Sequence, residues 1–410
     1  MRVVTILVMV SAAAFAAGTG ALPEPFGPIW ADHDTGNVKM SITAHGGVGY
    51  LAPDSAGSGF RFPKAMTTSR LYYCGMLCGN DSSYIADRFY GNPAPNLNKD
   101  FAIVESLHRD NRYGGQEYSA VMTDSRHPHA KNLQVSLHTI ALPDPYGNGV
   151  IIMYDYLNNG PDPLNGMYAG LWADFDISSG GTADSGFTDP GRRLAFQRQK
   201  TNDNPNCGLV VLYPQQASNL SCVNHGTYVY PTDTCVTEYQ KYRWLTGALH
   251  LGESDTAYDW SVIVATGPFD LMPGAHELKA FAMIAGISRA ELLAKTDSLQ
   301  AWYDLNVPAG LEGNSTNITF PSVLSITPNP VSGTSRISFG APVRSEARLS
   351  LYDRAGKLVG TLWKGKLDGT TVSLNWNGCD GWGRRLESGV YFLRLKGNGL
   401  DHTIKTLLAR

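Results

Sequence analysis

A group of carboxylates in a glycine-rich loop is the clearest candidate for metal chemistry in this 410-residue chain. Asp174 and Asp176 stand on one side of a predicted strand end, and Asp184 follows in a loop that can fold back towards them. Clustered Asp side chains and backbone carbonyls can supply the roughly six to eight oxygens that calcium needs. The loop is not an EF-hand, because Ser179 stands where that motif needs Gly and Ser185 where it needs Glu. We therefore predict a calcium ion that stabilises the loop, with turn capping by the same aspartates as the alternative.

A second candidate for metal binding is the histidine segment after Asp124. His127 and His129 flank a proline, and His138 follows further on. Histidines at this spacing can face one way in an extended segment and hold a metal. No carboxylate at a matching spacing accompanies them, which favours an exposed turn with solvated imidazoles.

The chain lacks the common catalytic templates. It contains no G-x-S-x-G, no H-E-x-x-H, no phosphate-binding P-loop and no dinucleotide-binding glycine motif between a strand and a helix. A Ser/His/Asp triad drawn from distant positions stays open, as does a carboxylate pair for glycoside hydrolysis from Asp155, Asp174, Asp176 or Glu238. The sequence therefore identifies no catalytic residue and no cofactor-binding residue.

Aromatic side chains are frequent in the predicted strands. They offer flat surfaces on which a sugar can stack, but aromatics in sheets more often pack in the core or across strands, which is the interpretation we favour. The residues concerned are Tyr72, Tyr73, Tyr84, Phe89, Tyr90, Tyr154, Tyr156, Tyr168 and Trp172.

Most of the chain reads as antiparallel strands. Short β-branched and aromatic runs bounded by Asn, Gly and Pro occur at 150–157, 168–175 and 208–213, and a proline-glycine corner joins two more between 259 and 286. One helix is predicted over 288–306. It starts with the capping-box sequence Ser288-Arg-Ala-Glu291, and its buried stripe comprises Leu292, Thr296, Leu299 and Tyr303. The fold class is mainly β, with a large antiparallel β-sandwich-like module and one helix.

The chain begins like an exported protein. Arg2 precedes an apolar run from Val3 to Ala17 and then small residues, which is the order of a signal peptide. We predict a signal peptide at 1–21, a β-rich extracellular module at 22–309, a small polar linker at 310–322 and a terminal domain at 323–410. No later apolar run is long enough to span a membrane.

Charge and cysteine content narrow the choice of partners. The 33 Lys and Arg against 36 Asp and Glu leave a net charge of −3, so no basic surface for nucleic acid is evident. Six cysteines in an exported chain predict disulfides, because zinc-type pair spacing is missing. Cys74 and Cys78 are close enough in sequence to close a tight loop, whereas Cys207, Cys222 and Cys235 share a stretch that reads as loop-rich, and Cys379 stands apart.

The last segment, residues 323–410, differs from the rest of the chain in its short, regularly spaced predicted strands. Strands are predicted at 336–339, 347–352, 358–363, 372–376, 390–395 and 403–408, a spacing typical of an immunoglobulin-like β-sandwich. Asn377-Gly378 and Asp380-Gly381 supply residues that accept positive φ in a tight loop. Folding alone explains these residues about as well as targeting does.

A family resemblance rests on motifs within this segment. They are Thr327-Pro-Asn-Pro330, Leu351-Tyr-Asp-Arg-Ala-Gly-Lys357, Trp376-Asn-Gly-Cys-Asp-Gly-Trp-Gly383, Ser388-Gly-Val-Tyr-Phe392 and Lys405. Together they resemble the C-terminal sorting domain of type IX secretion cargo, and equally the Ig-like domain of flagellar hook-capping proteins. The resemblance implies a bacterial protein that the secretion machinery exports across an outer membrane, followed by cleavage or attachment at the cell surface.

For the β-rich module, low charge, turn-rich loops and missing catalytic templates favour a non-catalytic binding or adhesion function with a glycan or envelope partner. Two alternatives remain at this point. One is a secreted hydrolase with a dispersed active site, and the other is a structural subunit of an extracellular assembly. A deep pocket with convergent polar groups would favour the enzyme, a shallow aromatic groove would favour binding, and a long unpaired sheet edge would favour assembly.

Overall fold

The computed structural model describes residues 28–49, 57–91, 96–231, 236–307, 324–327, 329–339, 345–367, 372–381, 383–397 and 400–409. The predicted signal peptide at 1–21 and linker at 310–322 lie outside these residues, as does Cys235. Within them, no helix is long and apolar enough to cross a membrane.

The chain before residue 308 folds mainly into strands, with a few helices between and after them. In chain order these elements are β1 Trp30–His33, β2 Lys39–Thr43, β3 Phe60–Arg61, β4 Tyr73–Asp81, β5 Tyr84–Asp87, β6 Ala102–Asp110, β7 Gln116–Thr123, β8 Leu133–Ala141, β9 Gly149–Asn158, β10 Leu164–Asp174, β11 Asp184–Asp189, β12 Leu194–Gln199, β13 Asn202–Tyr213, β14 Asn219–Asn224, α1 His225–Tyr228, α2 Glu238–Thr246, β15 Ser254–Tyr258, β16 Trp260–Leu271, β17 His276–Gly286 and α3 Arg289–Asn306. The strands predicted at 150–157, 168–175 and 208–213, and the hairpin between 259 and 286, are confirmed as β9, β10, β13 and β16–β17.

Two large antiparallel sheets form the first module. One has five strands in the order β14-β16-β10-β4-β5, and the other has nine in the order β15-β11-β12-β13-β17-β9-β8-β7-β6. β1, β2 and β3 form a smaller sheet. The main core lies between the two large sheets, because alternate residues of β4, β10 and β16 meet alternate residues of β9, β13 and β17 there.

Helices cover the outer faces of both sheets. Ile151 and Met153 of β9 point away from the shared core and pack with Leu292 and Leu299 of α3. Trp172 of β10 packs in the same way with residues of α2. Central strands are therefore buried on both sides, which explains their nearly continuous apolar sequence.

Helix α3 confirms its prediction closely. The Ser288 hydroxyl accepts a hydrogen bond from the Glu291 amide at 3.2 Å, and a Glu291 carboxylate oxygen accepts one from the Ile287 amide at 2.7 Å. The predicted stripe of Leu292, Thr296, Leu299 and Tyr303 is buried, together with Trp302. The capping sequence and the apolar period were sufficient to locate this helix.

Helix α2 was not predicted from the sequence. Its residues Glu-Tyr-Gln-Lys-Tyr-Arg-Trp-Leu-Thr show only a short apolar stripe, which ends in Trp244 and Leu245. The helix is held by a buried charge pair that no periodicity reveals. Lys241 Nζ donates to Asp87 Oδ2 at 2.7 Å, and both side chains are completely buried. Asp100 lies beside this pair and accepts a hydrogen bond from the Asp87 amide at 2.9 Å.

The cysteine prediction requires a correction. Cys74 and Cys78 lie on one strand, β4, where they pair with Ala173 and Ala169 of β10. Four residues of strand place their Cα atoms about 13 Å apart, and a disulfide needs about 4.4–6.8 Å. The tight-loop disulfide is therefore wrong. Cys207 and Cys222 lie in strands and not in loops, and all five described cysteines are free.

The terminal segment is a β-sandwich in its described residues. Its strands are β18 Leu324–Thr327, β19 Ser335–Phe339, β20 Ser345–Asp353, β21 Leu358–Leu367, β22 Val372–Trp376, β23 Gly389–Gly397 and β24 Leu400–Leu408. They form sheets β18-β19-β22 and β21-β20-β23-β24, which share one core. All six predicted strands are confirmed, and β18 is additional.

We expect that the described cysteines carry free thiols in the purified protein. After unfolding without reductant, iodoacetamide should label Cys74, Cys78, Cys207 and Cys222. In the folded protein these thiols should resist labelling, because burial raises their pKa and excludes the reagent. Peptide mass spectrometry checks this, with a reduced sample as the control. A disulfide-linked peptide pair containing any of these cysteines would contradict it.

Removal of the Lys241 charge should destabilise the first module strongly. Lys241→Met leaves the Asp87 carboxylate buried without a counter-charge, which typically costs about 3–5 kcal/mol. Urea unfolding followed by far-UV circular dichroism measures this. The matched control is Lys64→Met, which removes a half-exposed ion pair with Asp34 and should cost less than about 1 kcal/mol. Equal effects of the two variants would show that the buried pair has no special role.

The stability of the module should also fall as pH rises, because the buried carboxyl of Asp100 must then lose its proton. Burial, together with the neighbouring Asp87, raises the pKa of Asp100 to about 7. A carboxyl whose folded-state pKa is raised stabilises the fold fully below pH ~4 and loses this contribution as pH rises through ~7. Asp100→Asn should therefore weaken the loss of stability between pH 5 and pH 8. Chemical unfolding of both proteins at the two pH values checks this, and parallel pH profiles would refute it.

Candidate functional site

The three aspartates of the predicted calcium site have different surroundings. Asp184 accepts hydrogen bonds from the amides of Ile177 and Ser178, each at 2.9 Å, so it caps the loop as the alternative interpretation expected. Burial raises the pKa of Asp184 to about 6. Asp174 is buried and Asp176 is half-buried, and both face a different group of side chains. A calcium ion held by all three residues stays a prediction.

The group that includes Asp174 lies at one end of the five-stranded sheet. Asp174 ends β10, Ser261 stands near the start of β16, and His225 directly follows β14. The register brings them together, because Val223 of β14 pairs with Ser261 and the His225 amide bonds to the Asp259 carbonyl at 3.2 Å. Asp174, Asp259 and Ser261 also share the parity of the residues that face α2. We call Asp174, Asp176, His225, Asp259 and Ser261 the sheet-end cluster.

His225 is the centre of the sheet-end cluster. Its Nδ1 lies 3.1 Å from Asp259 Oδ1. Its Nε2 lies 2.5 Å from Ser261 Oγ and 3.7 Å from Asp174 Oδ1. The imidazole therefore has a carboxylate on each side, one at each ring nitrogen.

Two tyrosines complete the surroundings. The Tyr90 hydroxyl donates to Asp174 Oδ2 at 2.7 Å, and the Tyr230 hydroxyl donates to Asp259 Oδ2. The Tyr230 ring also packs edge-on against His225 and is 56% exposed. Tyr230 thus stands between the buried histidine and solvent.

The sheet-end cluster carries more negative than positive charge. Burial raises the pKa of Asp174 to about 6, and burial together with Asp259 raises the pKa of Asp176. Burial alone would lower the pKa of His225, but Asp174 and Asp259 outweigh it, so the pKa is raised. Among the described residues, no lysine or arginine forms an ion pair with these aspartates.

The sheet-end cluster has the hydrogen-bond connectivity of a catalytic triad, but its serine and histidine are not accessible to solvent. Asp259 bonds Nδ1 and Ser261 bonds Nε2, as in serine hydrolases. However, Ser261 is 0% exposed and His225 is 2% exposed. A nucleophile must be reached by its substrate, so this arrangement does not present Ser261 for attack. Mixed nitrogen and oxygen atoms around a buried site are also a donor set for a divalent metal.

A shallow groove lies at the other end of β14. Asn219 starts this strand, and six residues at ~3.3 Å separate it from His225 by about 20 Å. The groove has a volume of about 660 Å³. Its lining residues are Thr188, Pro190, Gly191, Arg193, Gln215, Gln216, Ala217, Ser218, Asn219, Leu220, Gly247 and His250. The lining contains amides, hydroxyls, an imidazole and a guanidinium, and no carboxylate. It also contains no Trp, Tyr or Phe, so it is not the aromatic groove expected from the sequence for a binding function.

Polar side chains of the groove are held in place. His250 Nδ1 bonds to Asn219 Oδ1 at 3.0 Å, while the Asn219 amide donates to the Trp244 and Leu249 carbonyls. Arg193 donates to the Val211 carbonyl at 2.9 Å and to Gln300 Oε1 at 2.8 Å. The groove is therefore a preorganised polar surface.

Of the other predicted histidines, His127 and His129 lie side by side, with ring centroids 6.1 Å apart and the His129 amide donating to His127 Nδ1 at 2.9 Å. His127 is 4% exposed and packs against Tyr84 and Glu238, so the expectation of a solvated turn is wrong for this residue. His138 lies elsewhere, bonded to Glu117 and Ser119. Glu117 also accepts hydrogen bonds from the amides of Arg112, Tyr113 and Gly115. Its carboxylate oxygens are therefore already hydrogen-bonded within the protein, which is typical of a structural role.

The strand aromatics pack as the favoured interpretation expected. Tyr73, Tyr84, Phe89, Tyr90, Tyr154, Tyr156 and Trp172 are all buried, and Tyr72 and Tyr168 are partly buried. His225, Asp259 and Ser261 were not identified as candidates from the sequence. The available signal was the alternation of Asp259 and Ser261 with apolar residues at the start of β16, which places two polar groups on one buried face.

Residues 325–409 match the family model of the secretion system C-terminal sorting domain. The resemblance noted in the sequence is thereby confirmed for this segment. The domain marks proteins that are secreted to the extracellular space or the outer cell surface, so this chain is an exported protein that interacts with the type IX secretion machinery.

The solved structures compared with this chain are distant from it in sequence. A search of the curated proteins finds no match. Among solved structures, a bacterial glucoamylase in complex with acarbose is 11% identical with a TM-score of 0.39, over 68% of this chain and 36% of that one. A galactose mutarotase-like protein from Lactobacillus casei is 9% identical with a TM-score of 0.30, over 63% of this chain and its own full length. This chain thus spans about a third of the glucoamylase.

Proposed function

We propose that this chain is an exported binding protein whose β-rich module, residues 22–309, holds a hydroxyl-rich ligand such as a glycan in the groove around His250. The immunoglobulin-like terminal domain, residues 323–410, serves as its address for secretion. The observation that carries the proposal is the contrast between an accessible polar groove and a titratable cluster that is buried.

The groove suits a neutral or weakly acidic ligand. Sugars are recognised through many hydrogen bonds to amides, hydroxyls and charged planar groups that are fixed before binding. Asn219 fixes His250, and Gln216 is an exposed amide of the lining. Because the lining has no carboxylate, it does not repel uronic acids or other anionic sugars.

A secreted hydrolase is the second candidate. It is favoured by the contacts of His225 with Asp259 and Ser261, which are those of an acid–base relay. It is disfavoured by the burial of the reactive atoms, since catalysis would require Tyr230 to move first. The binding proposal needs no such rearrangement.

A structural subunit that polymerises through sheet edges is less supported. The nine-stranded sheet ends at β6 and β15. These strands expose Glu105, Arg109 and Asp255, and charges on edge strands oppose pairing with further chains.

The groove variant His250→Ala with Gln216→Ala should weaken glycan binding by about tenfold or more. The reason is that each lost hydrogen bond contributes about 0.5–1.5 kcal/mol. Binding partners are first found on a glycan array with the full chain, and affinities are then measured by calorimetry. The matched control is His129→Ala with Gln199→Ala, a histidine and a glutamine that are not among the groove residues.

The same samples separate the alternatives. Mass spectrometry of the glycan after incubation should show it unchanged. Cleavage that depends on His225 would replace the binding proposal by the hydrolase. If the full chain binds no glycan, or if both double variants bind as the native protein does, the groove proposal is refuted.

A further inference from the structure

The buried oxygen Oδ1 of Asp174 has no hydrogen-bond donor among the described residues, although Asp174 is only 5% exposed. A buried carboxylate oxygen without a partner is costly, and such a group is normally paired or bound to a metal. His225 Nε2 lies 3.7 Å from this oxygen. The oxygen and the nitrogen thus face one small region at the end of the sheet.

The spacing of these two atoms fits a shared cation. Zinc bonds to histidine nitrogen and carboxylate oxygen are about 2.1 Å long, which sets two ligand atoms about 3.4 Å apart in a tetrahedral site. The observed 3.7 Å needs only a small contraction. Ser261 Oγ, at 2.5 Å from Nε2, is hydrogen-bonded to that nitrogen and too close to share a tetrahedral ion with it, so this hydroxyl would have to turn away from Nε2 when the cation binds.

Asp259 contacts the ring nitrogen of His225 that would not bind the cation. A histidine that binds a metal usually donates its other ring N–H to a carboxylate, which fixes the ring and its tautomer. Asp259 Oδ1 lies 3.1 Å from Nδ1, on the opposite side of the ring from Asp174. The Tyr230 hydroxyl in turn donates to Asp259.

The negative charge of the sheet-end cluster also favours a bound cation. Asp174 and Asp259 lie on either side of one imidazole, and Asp176 adds a further negative charge near it. No described lysine or arginine forms an ion pair with these aspartates. A divalent cation would neutralise this excess. Asp176 is half-buried and the Asp259 side chain is 18% exposed, so these two residues mark a path from solvent.

We propose that Asp174 and His225 bind a divalent cation of the nitrogen- and oxygen-ligated class, with zinc as the first probe, and that Asp259 positions His225 for it. The site differs from the predicted calcium site, because it uses a histidine nitrogen and does not use Asp184. It stands independently of the groove proposal, since none of its residues lines the groove.

The test is calorimetric titration of the metal-free full chain with Zn²⁺, with Mn²⁺ and Ca²⁺ in parallel. We expect one equivalent of Zn²⁺ to bind, and both Asp174→Asn and His225→Gln to weaken this binding more than about 100-fold. Asp259→Asn should weaken it about 10- to 100-fold, as for an outer partner.

Two variants serve as controls. His276→Gln removes another histidine that is bonded to a largely buried aspartate, Asp155, and should leave Zn²⁺ affinity unchanged. Asp184→Asn should also leave it unchanged. Thermal unfolding of each variant without metal shows whether it folds.

A spectroscopic measurement on the native chain covers the case in which a variant fails to fold. Bound Co²⁺ should give visible absorption bands of a site with nitrogen and oxygen ligands, and one equivalent of Zn²⁺ should abolish them. The proposal is overturned if the folded native chain binds no Zn²⁺, or if folded His225→Gln retains full affinity. It is also overturned if Ca²⁺ binds in a manner that needs Asp184 but not His225.

Discussion

Burial of the large sheets on both faces is the constraint that governs where this module can place polar groups. β10 and β16 pack inward against the nine-stranded sheet and outward against α2, so an unpaired polar side chain in mid-strand would be costly. Polar groups therefore gather where strands end. The groove and the sheet-end cluster lie at opposite ends of β14, and each takes its residues from the strand ends and the connections that leave them.

The same constraint explains the two kinds of buried charge. Asp87 and Lys241 neutralise each other and lock α2 onto the sheet. The sheet-end cluster contains no such counter-charge from a described lysine or arginine, and Asp174 Oδ1 remains without a donor. Lys241 supplies a full counter-charge to Asp87, and the raised pKa of the neighbouring Asp100 limits the excess of negative charge there. The sheet-end cluster has only the titratable His225 as its counter-charge. This difference separates a structural pair from a candidate site.

The sequence predicted the elements whose signals are local. Helix α3 followed from Ser288, Glu291 and a four-residue apolar stripe, and the strands followed from β-branched runs between turn residues. The loop aspartates Asp174, Asp176 and Asp184 were predicted from the sequence as metal ligands, yet only Asp174 and Asp176 belong to the sheet-end cluster. Asp184 instead caps a turn, which was the alternative. The remaining features depend on register between distant strands. His225 meets Asp174 only because β14, β16 and β10 lie side by side in that order, and no spacing along the chain encodes this order.

Strand β14 runs from the groove to the sheet-end cluster. It is an edge strand of the five-stranded sheet and pairs with β16, and its residues Leu220, Cys222 and Val223 are buried in the cores on the two faces of that sheet. At one end Asn219 holds His250 in the groove, and at the other end the strand runs into α1, whose first residue is His225. A cation at His225 would fix that end of β14 against β10.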